Sequence, residues 1–245
     1  MTGRANDPER KRSDIEDIAE DVLGFNFRSL RTFWDLIVRP SEVFQAYATR
    51  DSGRYTPALR LWLGLTVVLA LLSFFFGGND ELILRAMENW PEAQRDGVLN
   101  SIDGTAEDLA SAYEDYFLLL QPPIVGGLTA LTVFLIALFR RGLSWVARIN
   151  IAFAVLTVGS LVGLAVFPIM VAQPQLGSWV FLPVWFLYGL TMYRGAKGVL
   201  AETVWGRLVK AVLFSTVTIV LVFIAGVTTF LLSLQQAVNA LQPPV

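Results

Sequence analysis

The chain has 245 residues, 54% of them hydrophobic and 16% charged, and its mean hydropathy of +0.54 favours a protein that faces lipid over a water-soluble domain. Cysteine and histidine are both absent, which excludes disulfides, zinc sites and the usual catalytic triads built on those side chains. The net charge of −2 is too small to indicate a nucleic-acid partner.

The first 24 residues are polar throughout and contain no apolar stretch followed by a small-residue cleavage site. We therefore expect a polar cytoplasmic tail at 1–24 rather than a cleaved signal peptide. The first membrane span then also has to direct insertion.

The segment 25–58 predicts an amphipathic cytoplasmic helix before the first span. In the run FNFRSLRTFWDLIVRP, apolar side chains recur at helical spacing on one face. They are Phe27, Leu30, Phe33, Trp34 and Ile37, with Arg28, Arg31 and Asp35 on the opposite face. The run is too short and too charged to span, so we expect it in the headgroup region, with its arginines near anionic lipid phosphates. Pro40 ends this helix, and Ser41 is expected to cap a second short helix.

A membrane-spanning helix needs about 20 apolar residues, because hydrocarbon offers no partner for free backbone groups. The predicted fold class is an all-α, polytopic transmembrane helical bundle of about five spans. The stretches that qualify are 59–78, 116–139, 149–172, 178–193 and 211–234. The fourth is the shortest and contains Pro183, so four or six spans remain alternatives. The turn at 173–177 joins the third and fourth spans into a predicted hairpin.

Lysine and arginine are concentrated in every second segment between the predicted spans. There are ten up to the start of the first span, two in the 79–115 loop, three after the second span, none at 173–177, four at 194–210 and none in the 235–245 tail. Basic connections resist translocation, so this alternation predicts a multi-pass protein of the cell inner membrane with a cytoplasmic N-terminus and a periplasmic or extracellular C-terminus. An even number of spans would break the alternation.

The 79–115 segment is predicted to be an external, largely helical loop. It carries ten acidic residues, which form either a solvated face or a divalent-cation site, although no regular ligand spacing is present. Thr105 followed three residues later by Asp108 predicts a capping box that opens a helix leading into the second span.

A set of residues just before the first span resembles the signature of a bacterial membrane-protein family of unknown function. The set is Thr32, Asp35-Leu36, Arg39-Pro40, Tyr47, Arg54-Tyr55 and Pro57. That family in turn resembles the Yip (Ypt/Rab-interacting protein) group, which has a cytosolic N-terminal region, five spans and a C-terminus across the membrane. Many members of the bacterial family carry a cysteine-rich zinc ribbon ahead of this segment, whose ligands are absent from this sequence. The resemblance implies a fold and a membrane-organising or trafficking-adaptor role rather than a reaction.

Two groups of residues are candidate functional sites. The candidate lipid- or partner-binding residues are Arg39, Pro40, Arg54, Tyr55, Pro57 and Arg60, for which ordinary interfacial anchoring is the alternative. The candidate pathway-lining residues are Gln121, Pro122 and Pro123, where a broken helix would line a cavity and a simple proline kink is the alternative. The Gly159–Gly163 pair allows close helix approach, either within the bundle or in a dimer.

The leading prediction is a non-enzymatic, Yip-like integral membrane protein that acts through lipid or protein contacts of the 25–58 segment. The alternative is a transporter or channel component for an uncharged or small solute. We expect no catalytic residue, cofactor or metal, and the expected partners are membrane lipids, a second copy of the chain or another membrane protein, without nucleic acid.

Overall fold

The computed structural model describes residues 27–51, 53–76, 79–173 and 179–242. Within these ranges the regular structure is helical, apart from an isolated bridge between Lys197 and Ala201. The predicted tail at 1–24 lies outside the described residues, as does the predicted turn at 173–177 except for Gln173.

Two short helices precede the first long one. Helix α1 is Phe27–Val38 and helix α2 is Pro40–Thr49. Proline lacks the amide hydrogen that would continue α1, but it fits the first position of α2. The prediction that Ser41 caps α2 is wrong, because Arg39 occupies the N-cap, no side chain caps the helix and Ser41 already lies within it.

Helix α3 is Ala58–Phe76, and the predicted external loop contains helices α4, Asn79–Glu88, and α5, Glu92–Leu99. Helix α6, Ala106–Ala130, begins at the predicted capping box, in which the Thr105 side chain accepts from the Asp108 amide and the Asp108 carboxylate accepts from the Thr105 amide. This box is confirmed. A turn at Leu131 separates α6 from helix α7, Thr132–Phe139.

Three helices complete the described chain. Helix α8 is Trp145–Ala172, helix α9 is Phe181–Gly195 and helix α10 is Val204–Ala240. Helix α10 begins where Thr203 accepts a hydrogen bond from the Gly206 amide through its Oγ1, at 3.1 Å, which satisfies a backbone donor of the first turn.

Among the described residues, and with α6 and α7 counted as one, four helices are long and apolar enough to cross a membrane: Ala58–Phe76, Ala106–Phe139, Trp145–Met170 and Val204–Ala240. The chain is therefore a multi-pass, all-helical membrane protein. Helix α9, which covers most of the predicted fourth span, has 15 residues and is not among the four. All four helices begin before the predicted spans, by one residue at Ala58 and by four to ten residues at Ala106, Trp145 and Val204. A span is defined by its apolar run, whereas a helix continues to its caps.

The described residues form two compact units. Unit 1 contains the described residues up to Leu65 together with Val133–Leu161 and Leu187–Val212, and its core includes Phe44, Leu61 and Ile151. Unit 2 contains Thr66–Thr132, Val162–Phe186 and the described residues from Leu213 onward. In unit 2, α4 and the start of α6 pack around a core of Ile83, Met87, Leu109, Tyr113 and Ala237.

Candidate functional site

Thr56, in the turn before α3, joins this turn to both short helices of unit 1. Its amide donates to Thr32 Oγ1 at 3.1 Å, its carbonyl accepts from the Tyr47 hydroxyl at 2.6 Å, and its own hydroxyl lies 3.3 Å from Ser29 Oγ. Thr32 and Ser29 are buried on one face of α1. Both backbone groups of the buried Thr56 are thus satisfied by side chains from α1 and α2.

Tyr55 makes a second set of contacts in the same turn. Its hydroxyl donates to Asp35 Oδ2 at 3.0 Å, and its ring lies near two guanidinium groups, that of Arg54 at 5.2 Å and that of Arg31 at 5.9 Å from the ring centroid. Arg54 also pairs with Glu42 of α2. Burial, together with the bond to Asp35, raises the pKa of the Tyr55 hydroxyl, so this group stays protonated and donates to Asp35 at neutral pH.

The beginning of α3 is held by a residue of α8. The Ala58 amide donates to Asn150 Oδ1 at 2.7 Å, and Asn150 Nδ2 donates to the Val146 carbonyl at 3.0 Å. The carbonyl of Pro57 accepts from the amides of Arg60 and Leu61 and so opens the helix. The side chains of Pro57 and Arg60 are exposed.

Helix α1 exposes its apolar side. Four of its apolar residues have more than half of their surface exposed: Phe27 at 85%, Leu30 at 63%, Trp34 at 66% and Ile37 at 51%. The opposite side packs within unit 1 through Ser29, Thr32 and Leu36. The predicted apolar face is therefore present, and four of its five residues are exposed.

The junction between α1 and α2 also contacts the end of α9. The Arg194 guanidinium donates to the carbonyls of Ile37, at 2.9 Å, and Val38, which are among the last carbonyls of α1 and have no partner within the helix. Gly195 lies against Phe44 of α2, so close that a Cβ at this glycine would fall 2.6 Å from the ring. Arg39 and Pro40, at this junction, line an open cleft together with the end of α9, Lys197 and Arg207.

No protein-family model, no curated protein and no solved structure matches this chain. These comparisons therefore neither support nor contradict the resemblance to the bacterial and Yip families. Function is inferred instead from the geometry of unit 1.

The candidate pathway residues lie in unit 2. Helix α6 continues through Pro122 and Pro123, and Thr129 Oγ1 donates to the Val125 carbonyl near its end. Pro122 borders an open groove of about 300 Å³ whose exposed lining is apolar, Gln121 is half-buried and Pro123 is exposed. An apolar groove offers no hydrogen-bonding groups with which to coordinate a polar solute.

The described acidic side chains of the predicted external loop do not converge on a cation site. No group of three or more acidic side chains within the described parts of the chain is placed to hold a metal ion. Asp108 instead serves the capping box of α6.

Several of the residues that resemble a family signature contact the turn before α3, which contains two of their members, Arg54 and Tyr55. Thr32 and Tyr47 bond to Thr56, and Asp35 bonds to Tyr55. Sequence reasoning did not identify Thr56, Ser29 or Arg194, since serine and threonine are common and Arg194 was counted only as a topological charge. A hydroxyl-rich turn next to a predicted helix is the signal that could have identified Thr56.

Proposed function

We propose that this integral membrane protein is a non-enzymatic, Yip-like, membrane-organising protein that crosses the inner membrane five times and acts through lipid contacts of α1. The N-terminal segment and α1 are placed on the cytoplasmic side in this proposal, and the C-terminus on the other side.

Contacts between the basic connections support five crossings. In unit 1, Arg140, which follows α7, donates to the Val199 carbonyl, and Lys210 Nζ donates to the Phe139 carbonyl at 3.0 Å. Arg50 Nε donates to Ser144 Oγ at 3.3 Å. The connections after α2, α7 and α9 therefore lie together, which is the arrangement expected if all three are on the cytoplasmic side.

The same contacts support a membrane crossing by α9. The connection before α8 and the connection after α9 lie together. If α8 crosses the membrane, α9 therefore has to cross back. With 15 residues, α9 is about 22 Å long, short of the roughly 30 Å of hydrocarbon. A short span of this kind is accommodated by local thinning of the bilayer at a modest cost.

The observation that carries the lipid-binding proposal is the exposed apolar side of α1. Burying apolar surface contributes about 25 cal/mol per Å², so a tryptophan and three further large apolar residues left in water would be costly. Inserting these residues below the headgroups removes them from water, while Arg28 and Arg31 lie at the level of the lipid phosphates. Because Thr32 and Ser29 anchor the opposite side of α1, the helix is held in this orientation before it meets lipid.

The test uses the absence of cysteine. Trp34→Cys gives a single-cysteine protein that can be spin-labelled and placed in nanodiscs containing anionic lipid. We expect the label at position 34 to be accessible to molecular oxygen and protected from a water-soluble nickel chelate, because it lies within the acyl region.

Arg28→Cys is the matched control, since it is an exposed position on the polar side of the same helix. Its label should show the opposite pattern, with strong nickel accessibility. Equal nickel accessibility at both positions would overturn the proposal that α1 lies in the membrane surface.

A further inference from the structure

A basic cleft lies at the junction of α1, α2 and the end of α9, within unit 1. It has a volume of about 280 Å³ and is open to the outside. Its charged lining consists of Arg39, Glu42, Arg194, Lys197 and Arg207. Four cations and one carboxylate thus surround one small space, although the whole chain carries a net charge of −2.

The carboxylate does not neutralise the cleft. Glu42 pairs with Arg54, which is not among the lining residues, and its other oxygen lies 3.8 Å from Arg39 Nη1. Two cations therefore already share this carboxylate. The lining retains an excess of positive charge, which favours a bound anion.

The four cations differ in the contacts that they already make within the protein. Arg194 bonds to the last carbonyls of α1. Arg207 lies with its guanidinium 4.9 Å from the centroid of the Tyr193 ring, and its Nε is buried without a hydrogen-bond partner within the described part of the chain. Lys197 lines the cleft and is exposed. Lys197 therefore has accessible donors to offer to a ligand, and the guanidinium of Arg207 retains a donor that is not satisfied within the described part of the chain.

The backbone at the start of α2 adds to the positive potential of the cleft. Helix α2 starts at this cleft, with Pro40 and Ser41 in its first turn, and no side chain caps its N-terminus. The partial positive charge at the start of a helix favours an anion there, in addition to the charges of the side chains.

We propose that this cleft binds a phosphate group, carried either by the headgroup of an anionic phospholipid or by a soluble phosphate. Arg207 and Lys197 donate hydrogen bonds to the phosphate oxygens, while Arg39 and the start of α2 supply further positive potential. The cleft volume of about 280 Å³ lies just below the range of about 300–1,000 Å³ for pockets that hold drug-sized ligands. The cleft therefore fits a headgroup and not a whole lipid. This inference rests on the proposed function in one respect: the proposed topology decides which membrane leaflet supplies the headgroup.

The experiment is a calorimetric titration of the full-length protein in a neutral maltoside detergent. The probes are short-chain phosphatidic acid, phosphatidylcholine of the same chain length and inorganic phosphate. For the wild type we expect saturable binding of phosphatidic acid and much weaker binding of phosphatidylcholine. Lys197→Gln and Arg207→Gln should each raise the Kd by about tenfold, because each removes a charge-assisted bond to phosphate.

Arg141→Gln is the matched control, since Arg141 is an exposed cation of unit 1 that does not line the cleft. Its Kd should stay close to that of the wild type. If Arg207→Gln lowers the unfolding temperature, Lys197→Gln carries the test, because the Lys197 side chain is exposed and its truncation leaves packing intact.

Phosphate binding as tight as that of phosphatidic acid, with the same dependence on the variants, would support the site and identify a soluble phosphate as its ligand.

The inference is overturned if neither anion binds, or if the Kd is unchanged in Lys197→Gln and Arg207→Gln, or if Arg141→Gln weakens binding equally. A label at position 34 that stays in water, with anion binding that depends on the variants, would overturn only the proposed function of α1. A membrane-inserted label without anion binding would overturn only this inference.

Discussion

Thr56 and Tyr47 illustrate how single residues hold the segment before α3. The Tyr47 hydroxyl donates to the Thr56 carbonyl at 2.6 Å, and both residues are buried. A buried carbonyl that loses its donor cannot turn to water instead, so its desolvation is no longer compensated.

Tyr47→Phe should therefore destabilise the protein by about 1–3 kcal/mol, because it leaves this carbonyl unsatisfied while keeping the ring in place. The measurement is unfolding by sodium dodecyl sulfate in mixed micelles, followed by circular dichroism. Tyr116→Phe, at a half-buried tyrosine outside this contact, is the control and should cost clearly less. Equal losses for the two variants would contradict the role given to the Tyr47 hydroxyl.

The same tyrosine predicts sensitivity to alkaline pH. Burial, with a smaller contribution from Tyr55, raises the pKa of the Tyr47 hydroxyl well above its ordinary value. The unfolded chain then loses this proton first, so the stabilisation is complete below the ordinary tyrosine pKa of about 10 and declines as the pH rises above it. Wild-type stability should fall more steeply than that of Tyr47→Phe above about pH 10, and parallel curves would contradict this assignment.

Helix packing in unit 1 depends on a close approach between α8 and α9. A Cβ at Gly159 would lie 2.3 Å from the Tyr188 hydroxyl, and Tyr188 is buried. This contact favours packing within the bundle as the role of Gly159, one of the two alternatives raised by the Gly159–Gly163 spacing.

Gly159→Ala should destabilise the protein by about 1–3 kcal/mol, since the added methyl group forces the Tyr188 ring or the backbone to shift. Gly226→Ala in α10 is the control: a Cβ there meets no atom within 4 Å. Alanine is the better helix former, so this change should be neutral or stabilising by up to about 1 kcal/mol. Unfolding in mixed micelles compares the two, and a stable Gly159→Ala protein would show that the close approach is not required.

At the scale of the whole molecule, five spans predict on which side of the membrane each connection lies. Single cysteines at Ser101, Gly142, Glu202 and Gln242 each lie at an exposed position in or beside a connection. On intact cells, a membrane-impermeant thiol reagent should label Ser101→Cys and Gln242→Cys, and it should label Gly142→Cys and Glu202→Cys only after the cells are opened. Labelling of Glu202→Cys on intact cells, with Gln242→Cys protected, would mean that α9 does not cross and that four spans are correct.

Much of the fold was predictable from local chemistry. Apolar runs of spanning length identified the four long helices, and the Thr105–Asp108 spacing identified the start of α6, because hydrophobic burial and helix capping act over a few neighbouring residues. The prediction that Ser41 caps α2 was wrong for a related reason. The capping preference of serine does not show that the helix has already begun at Pro40.

The arrangement of the candidate site was decided only by the tertiary structure. The sequence determined that α1 has an apolar face and that certain connections are basic, since both are properties of short stretches. It did not determine that Tyr55 and Arg54 contact α1 and α2, or that Arg39 shares a cleft with Lys197 and Arg207. Arg39 and Arg207 are far apart along the chain, and their proximity results from helices packing against one another, which no local pattern of residues encodes.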